Sequence, residues 1–349
     1  MIIASAATAF PANNYSQSEI TQALESVWKD KLENPRSLTR LHRRCGVERR
    51  NLVLGLAEYN RLSGFGESNA IWTEAAVNLG SQAVSRALKR VDLEPGDVSA
   101  LFFTSVTGVA SPSIDARLMN KLAFPSNLKR IPMFGLGCVA GAAGIARAAD
   151  YVRAYPDQTA VLLSVELCSL TWQMADVSTA NLISSGLFGD GAAAVVLAGA
   201  ETSCSGPRII DTCSVFYRDT EDAMGWDVSA TGFRIVLSPS VPTLIKKNLG
   251  NDVDMFLAKH RLTRKDVGSW ILHSGGPRVL EADTAALDLP EDALEASWSS
   301  LRRIGNLSSA SVLAVLEENL EKRRGEPASY SHLAAMGPGF CSELVLLRW

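Results

Sequence analysis

Two segments of this chain carry one pattern at a fixed distance. DLEPGDVSALFFTS (92–105) and RLTRKDVGSWILHS (261–274) share Leu93/Leu262, Asp97/Asp266, Val98/Val267 and Ser105/Ser274, all at an offset of 169. Each segment follows a helical pattern and ends in an apolar strand pattern. A second match lies further along: Gly137-Cys138 precedes a small-residue helix, and Gly305-Asn306 precedes SSASVLAVLEENLEKR (308–323), now 168 apart. Two matches at nearly one offset predict a duplicated chain. We place its halves at residues 1–205 and 206–349, a length that suits two similar lobes better than one core.

The elements alternate between helix and strand, which predicts an α/β layered architecture. MIIASAATAF reads as a first strand. SQSEITQALESVWKDKL (16–32) opens with Ser16 and Glu19 in capping-box spacing and continues as an amphipathic helix. NAIWTEAAVNLGSQAVSRALKRV (69–91) is a second helix, and VSALFFTSV (98–106) a buried parallel strand. A net charge of −3 and a pI near 5.9 argue against a nucleic-acid footprint. The longest apolar runs fall short of the roughly 18–20 residues a membrane span needs, and no signal peptide is expected. Six cysteines without a CxxC pair suggest neither zinc nor a disulfide framework, so free thiols in a reducing cytoplasm are expected.

The chemistry-bearing residues sit at the repeated positions. Cys138 lies in FGLGCVAGAAG (134–144), after an apolar strand and at a helix start. The helix dipole there favours a thiolate, which lowers the thiol pKa and makes it a nucleophile. A buried structural cysteine is the competing reading. His273, in WILHSGGPRVL, ends a buried strand before a Gly-Gly-Pro turn and is placed to pair with a thiolate. Of the other histidines, His42 and His260 lie in charged contexts that read as exposed, while His332 precedes a strand pattern. Asn306 in RIGNLSSASVL reads either as a helix N-cap or as an amide donor to an oxyanion shared with His273. LFGDGAAAVVLAG (187–199) matches no phosphate-loop pattern and reads as a turn feeding a buried strand, with Phe188 facing a cavity.

Taken in order, GLGCVAGAAG, VELCSLTWQ (165–173), LFGDGAAAV (187–195), WILHSGGP (270–277), GNLSSAS (305–311) and MGPGFCSELVLL (336–347) resemble the type III polyketide synthases, the chalcone-synthase-like branch of the thiolase superfamily. The resemblance implies the duplicated, αβαβα-layered thiolase fold and a homodimer. It implies that malonyl-CoA is condensed repeatedly onto an acyl-CoA or malonyl-CoA starter, with cyclisation to a pyrone, resorcinol or related aromatic product. Cys138 matches the family nucleophile, with His273 and Asn306 as its partners. Phe188 and Phe233 match two gatekeeping aromatics, and Ser105, Cys168, Thr171 and Ser308 fall where the family lines its cyclisation cavity. Arg40 and Arg44, with Gly276, Pro277 and Arg278, match the CoA-binding positions, which gives the basic patch TRLHRRCGVERR (39–50) a ligand in place of solvent. Ala335-Met336-Gly337-Pro338-Gly339 departs from the family's GFGPG loop toward bacterial members. The small cavity residues favour a long acyl chain. Neither metal nor redox cofactor is expected. Two alternatives use the same residue types: a fatty-acid-initiating condensing enzyme that takes acyl-carrier protein, and a cysteine-dependent acyl-CoA hydrolase.

Overall fold

A computed structural model describes residues 1–32, 34, 36–322 and 328–349. In the first half the strands are β1 (Ile2–Ala9), β2 (Asn13–Ser16), β3 (Arg49–Leu52), β4 (Val98–Thr104), β5 (Lys129–Met133), β6 (Thr159–Leu167) and β7 (Asp190–Ala198). The second half supplies β8 (Arg208–Phe216), β9 (Met224–Ser229), β10 (Gly232–Leu237), β11 (Val267–Leu272), β12 (Tyr330–Gly337) and β13 (Cys341–Arg348). Nine of them form one sheet in the order β11-β12-β13-β8-β1-β7-β6-β4-β5.

The duplication is written into that order. From β1 the sheet runs β1-β7-β6-β4, with antiparallel, antiparallel and parallel pairings. From β8 it runs β8-β13-β12-β11 with the same three senses. The two sets meet where Ile2 faces Arg208. Local detail repeats too: Asp97 and Asp266 each close a turn by accepting a backbone N–H, from Glu94 at 2.8 Å and from Thr263 at 2.7 Å. Just before those turns, Asp92 and Arg261 both take left-handed backbone angles, with φ of 54° and 58°. β5, parallel to β4, is the strand of the first half without a counterpart in this series.

Alternation along the strands sorts side chains into layers. Leu101, Phe103, Val161, Leu163 and Val165 pack outward with Trp72, Leu79, Ala83 and Val84 of the helix Phe65–Lys89. Phe102, Leu162, Ala193 and Val195 pack inward with Ile145, Ala149, Val312 and Leu316. Those four belong to two central helices, Ala140–Ala154 and Ser309–Lys322, which the two halves of the sheet enclose. Outside the second half, helices Val241–Ala258 and Pro277–Leu287 form a third core with Leu272, Leu344 and Leu346. The result is the αβαβα layering expected of a thiolase-like duplicated fold. No helix among the described residues is long and apolar enough to cross a membrane.

The expected elements form, with shifted ends. The capping-box helix is Gln17–Trp28, with Ser16 N donating to Glu19 Oε2 at 2.7 Å. The next begins four residues early, at Phe65. The helix after Asn306 is described to Lys322, and Arg323 lies outside the described residues. His42 corrects its expectation. It is buried, with Nδ1 at 2.8 Å from Thr21 Oγ1 and Nε2 at 3.2 Å from Ser185 Oγ. His332 is buried within β12 between Trp270 and Phe256, and His260 is half-buried against Asp211 at 2.9 Å.

Small residues let the central helices touch. A Cβ added to Gly141 would lie 2.3 Å from the backbone oxygen of Ser309 and 2.6 Å from Val312 Cγ1. Backbone cannot yield as a side-chain tip can, so Gly141→Ala is expected to destabilise the protein by about 1–3 kcal/mol, the usual cost of overpacking. Denaturant unfolding of the variant against the parent checks this.

Candidate active site

Cys138, His273 and Asn306 all line one cavity of about 630 Å³, together with Phe188, Cys168 and Ser308. Each is delivered by a different turn. Cys138 sits in a 3₁₀ turn, Gly137–Val139, that runs straight into the helix Ala140–Ala154. Gly137 has φ of 54°, and a Cβ there would strike Pro338 Cδ at 2.5 Å. The turn therefore requires glycine on two counts. Gly337 is pressed equally close, since its Cβ would lie 2.6 Å from both Leu136 O and Val139 N. The loop Met336-Gly337-Pro338-Gly339 thus clamps the backbone that carries the thiol.

Asn306 follows Gly305, which mirrors Gly137 with φ of 71°. Its backbone is pinned across the halves: Asn306 N donates to Leu187 O, and Gly189 N donates to Asn306 O, both at 2.9 Å. Its side chain performs the first of the two roles read from the sequence. Oδ1 accepts from Ser308 N at 2.8 Å and from Ser311 Oγ at 3.3 Å, as a helix-start cap does. Nδ2 donates to Gly275 O at 3.1 Å, in the turn that follows His273. An amide nitrogen carries two hydrogens, so one donor is left over.

His273 follows β11 and hangs from the sheet by its own backbone, His273 N donating to Ala334 O at 3.1 Å. Its imidazole is buried, and Nδ1 has no hydrogen-bond partner. Burial holds the imidazole down to about 4. Burial also pushes the Cys138 thiol up to about 12, outweighing a 3.7 Å contact with Ser308 Oγ that favours the thiolate. This is opposite in direction to the lowering expected from a helix start, and its largest cause is desolvation by burial. A thiolate here needs a partner that becomes positive as it becomes negative. A thiol, an imidazole and an amide N–H lining one cavity suit acyl transfer.

The remaining expected residues divide. Arg44, Gly276, Pro277 and Arg278 line the cavity, and Arg44 is exposed at the end of the helix Arg36–Arg44. Arg40 is exposed one helical turn earlier and does not line it. Phe233 does not line it either. It packs on Phe65, ring centroids 5.3 Å apart, and on Trp226, at a separate pocket of about 160 Å³ that Thr171 also lines. The cavity wall expected from Phe233 is supplied by Ile235, two residues on in β10. Ser105 is withdrawn from the cavity as well, and its hydroxyl donates to Glu166 at 3.3 Å. Within Met336-Gly337-Pro338, Met336 and Pro338 also line the cavity.

Glu166, Asp190 and Arg50 were missed. Glu166 is fully buried and accepts from Val106 N at 3.1 Å, Thr107 Oγ1 at 3.0 Å and Ser309 Oγ. Burial still pushes its carboxyl up to about 7. Asp190 accepts from Val53 N and Ser169 N, both at 2.8 Å, and burial pushes it up to about 6. Arg50, also fully buried, donates to Phe188 O at 2.6 Å and to Gln17 Oε1 at 2.9 Å, so it fixes the turn bearing Phe188. The basic run 39–50 thus splits into surface arginines and an interior Arg50. A charged residue inside an otherwise apolar strand, as in LLSVEL, is the signal that could have found Glu166.

Residues 1–202 match the family described as chalcone and stilbene synthases, N-terminal domain, and residues 209–349 match its C-terminal domain. A 1,3,6,8-tetrahydroxynaphthalene synthase of Streptomyces peucetius subsp. caesius is 47% identical over 350 residues, covering 99% of this chain and 93% of the relative. A phloroglucinol synthase of Pseudomonas fluorescens is 32% identical over 351 residues, covering 97% of each. The crystal structure of 1,3,6,8-tetrahydroxynaphthalene synthase from Streptomyces coelicolor A3(2), a bacterial type III polyketide synthase, superposes with a TM-score of 0.94 at 31% identity, over 100% of this chain and 99% of that one. With family matches across both halves and that structural agreement, the chain belongs to the chalcone and stilbene synthases and is a type III polyketide synthase, an acyltransferase of the Claisen-condensing kind.

Proposed function

We propose that this chain loads an acyl group from CoA onto Cys138, lengthens it with malonyl-CoA, and cyclises the product to a pyrone, resorcinol or related aromatic. The observation that carries this reading is the convergence of Cys138, His273 and Asn306, drawn from both halves, on one cavity. Residues 1–205 would supply the nucleophile and residues 206–349 its partners.

The proton of Cys138 passes to His273, so that thiolate and imidazolium arise together and neither charge is buried alone. The thiolate attacks the starter thioester, the carbonyl re-forms, and CoA leaves as a thiol with the proton from His273. Malonyl-CoA then places its thioester oxygen between His273 and the free N–H of Asn306. The bond to carbon dioxide breaks, and its electron pair becomes an enolate held by those two donors. The enolate carbon attacks the acyl-Cys138 carbonyl, a carbon–carbon bond forms, and the cysteine leaves as thiolate. Release of carbon dioxide drives each cycle, so the chemistry calls for no metal or redox cofactor. Arg44 and Arg278 would hold the CoA phosphates, with Arg40 adding charge nearby; guanidinium suits that geometry. Phe188 and Ile235 would narrow the passage between CoA and chain. Cys168 and Ser308 would shape the cyclisation wall. We read the enzyme as a cytoplasmic homodimer, as the family resemblance implies.

A product assay and three variants test the reading. Incubation with malonyl-CoA, alone and with acyl-CoA starters of increasing length, is expected to give products two carbons longer per cycle by mass spectrometry. Turnover only with malonyl-carrier protein, or release of free acid without malonyl-CoA consumption, would favour the two alternatives. Cys138→Ala is expected to abolish condensation, and Asn306→Ala to slow it roughly 10²–10³-fold while acyl loading persists. In His273→Ala, alkylation of Cys138 by iodoacetamide should require more alkaline pH than in the parent, since the thiolate loses its counter-charge.

A further inference from the structure

One group facing the cavity has no role in that chemistry. Asp283, on the helix Pro277–Leu287, is buried to 3% exposure and lines the cavity wall. Its Oδ1 has no hydrogen-bond partner. From that helix the cavity is lined by Pro277, Arg278, Val279 and Asp283, and from Val241–Ala258 by Val241, Pro242, Ile245 and Leu249. Val279 and Asp283 are four residues apart and therefore share a helix face, as do Val241, Ile245 and Leu249. The two faces, with Leu272 beside them, make an apolar slot in which Asp283 is the one acidic side chain among the described residues lining it. Burial with no compensating charge pushes its carboxyl up to about 8, so near neutrality it carries a proton and can donate.

An unpartnered polar group in a dry slot is costly unless the occupant supplies its partner. The phosphates of a CoA must stay with the exposed Arg44 end of the cavity, whereas Asp283 lies about 1.7 helical turns beyond Pro277 and is buried. The slot is therefore suited to the acyl chain. We propose that Asp283 is a specificity-determining residue that hydrogen-bonds an oxygen on the chain housed between these helices, so that the enzyme takes oxygenated acyl chains over plain alkyl chains. This rests on the acyl-transfer reading above and adds a polar contact to the expectation of a long acyl chain. A site that presents a hydrogen-bonding group rejects the analogue lacking its partner far more strongly than an apolar wall rejects an extra hydroxyl.

The test uses the full-length enzyme and straight-chain C6 to C10 acyl-CoAs, each with and without a terminal hydroxyl. Loading of Cys138 is followed by intact-protein mass without malonyl-CoA. At the chain length that reaches the slot, the parent is expected to load the hydroxylated member roughly ten- to a hundredfold faster. Asp283→Leu should remove that ratio and speed alkyl loading, and Asp283→Asn should retain most of it; a thermal midpoint no lower than the parent's confirms that Asp283→Leu is folded. A ratio near one at every length in the parent overturns the proposal, as does a ratio that survives in Asp283→Leu. Equal slowing of both members of every pair in Asp283→Leu and Asp283→Asn would place the residue on the pantetheine arm and also overturn it. Absence of loading by any ester defeats the acyl-transfer reading itself, and this proposal with it.

Discussion

Contact between the helices Ala140–Ala154 and Ser309–Lys322 is the constraint from which the rest of the molecule follows. Each begins just after a site residue, so the separation of the helices sets the separation of Cys138 and Asn306 across the cavity. Glycine at 141 permits backbone contact with Ser309, and the alanines that follow keep the helix thin enough for sheet strands to close on both sides. A larger residue at the crossing would not merely cost packing energy. It would displace one half of the site from the other, and a shift of about 1 Å is enough to impair positioned chemistry.

Polar cross-ties refine what packing begins. Glu166 gathers donors from the ends of β4 and from the second central helix, while Asp190 and Arg50 fasten β3 and the Phe188 turn to the sheet. Buried charges contribute little net stability, because desolvation consumes most of what their hydrogen bonds return. Their effect is geometric: satisfied groups have one arrangement, and a shifted one leaves a donor or acceptor bare. Burial raises the Glu166 carboxyl despite its donors, because this interior disfavours charge.

The duplicated layering and the convergence of Cys138, His273 and Asn306 on one cavity were legible because both are tied to chain position. The repeat fixes where each turn falls, and glycines at 137 and 305 mark backbone angles that other residues resist. What was illegible depended on which face of an element a side chain takes. Phe233 and Ile235 occupy one short strand, yet only Ile235 reaches the main cavity, and no local pattern in TGFRIVL distinguishes them. His42 and Arg50 sit in a run of arginines that reads as surface, and only tertiary packing turns them inward. The thiol pKa was misjudged for a related reason: the helix start is a local property, whereas desolvation is set by everything that closes around it.

The backbone bridge that joins Leu187 and Gly189 to Asn306 has a kinetic implication. Enzymes that shut a cleft around each substrate need lobes free to swing, and here the lobes are stitched by paired hydrogen bonds at the cavity-lining Asn306. Repeated rounds of elongation then take place with Asn306 tied to the Phe188 turn of the other half. In such a vessel the moment at which growth stops is governed by the space that remains, so substitutions in the lining, rather than in any hinge, are where product length would diverge among relatives of this chain.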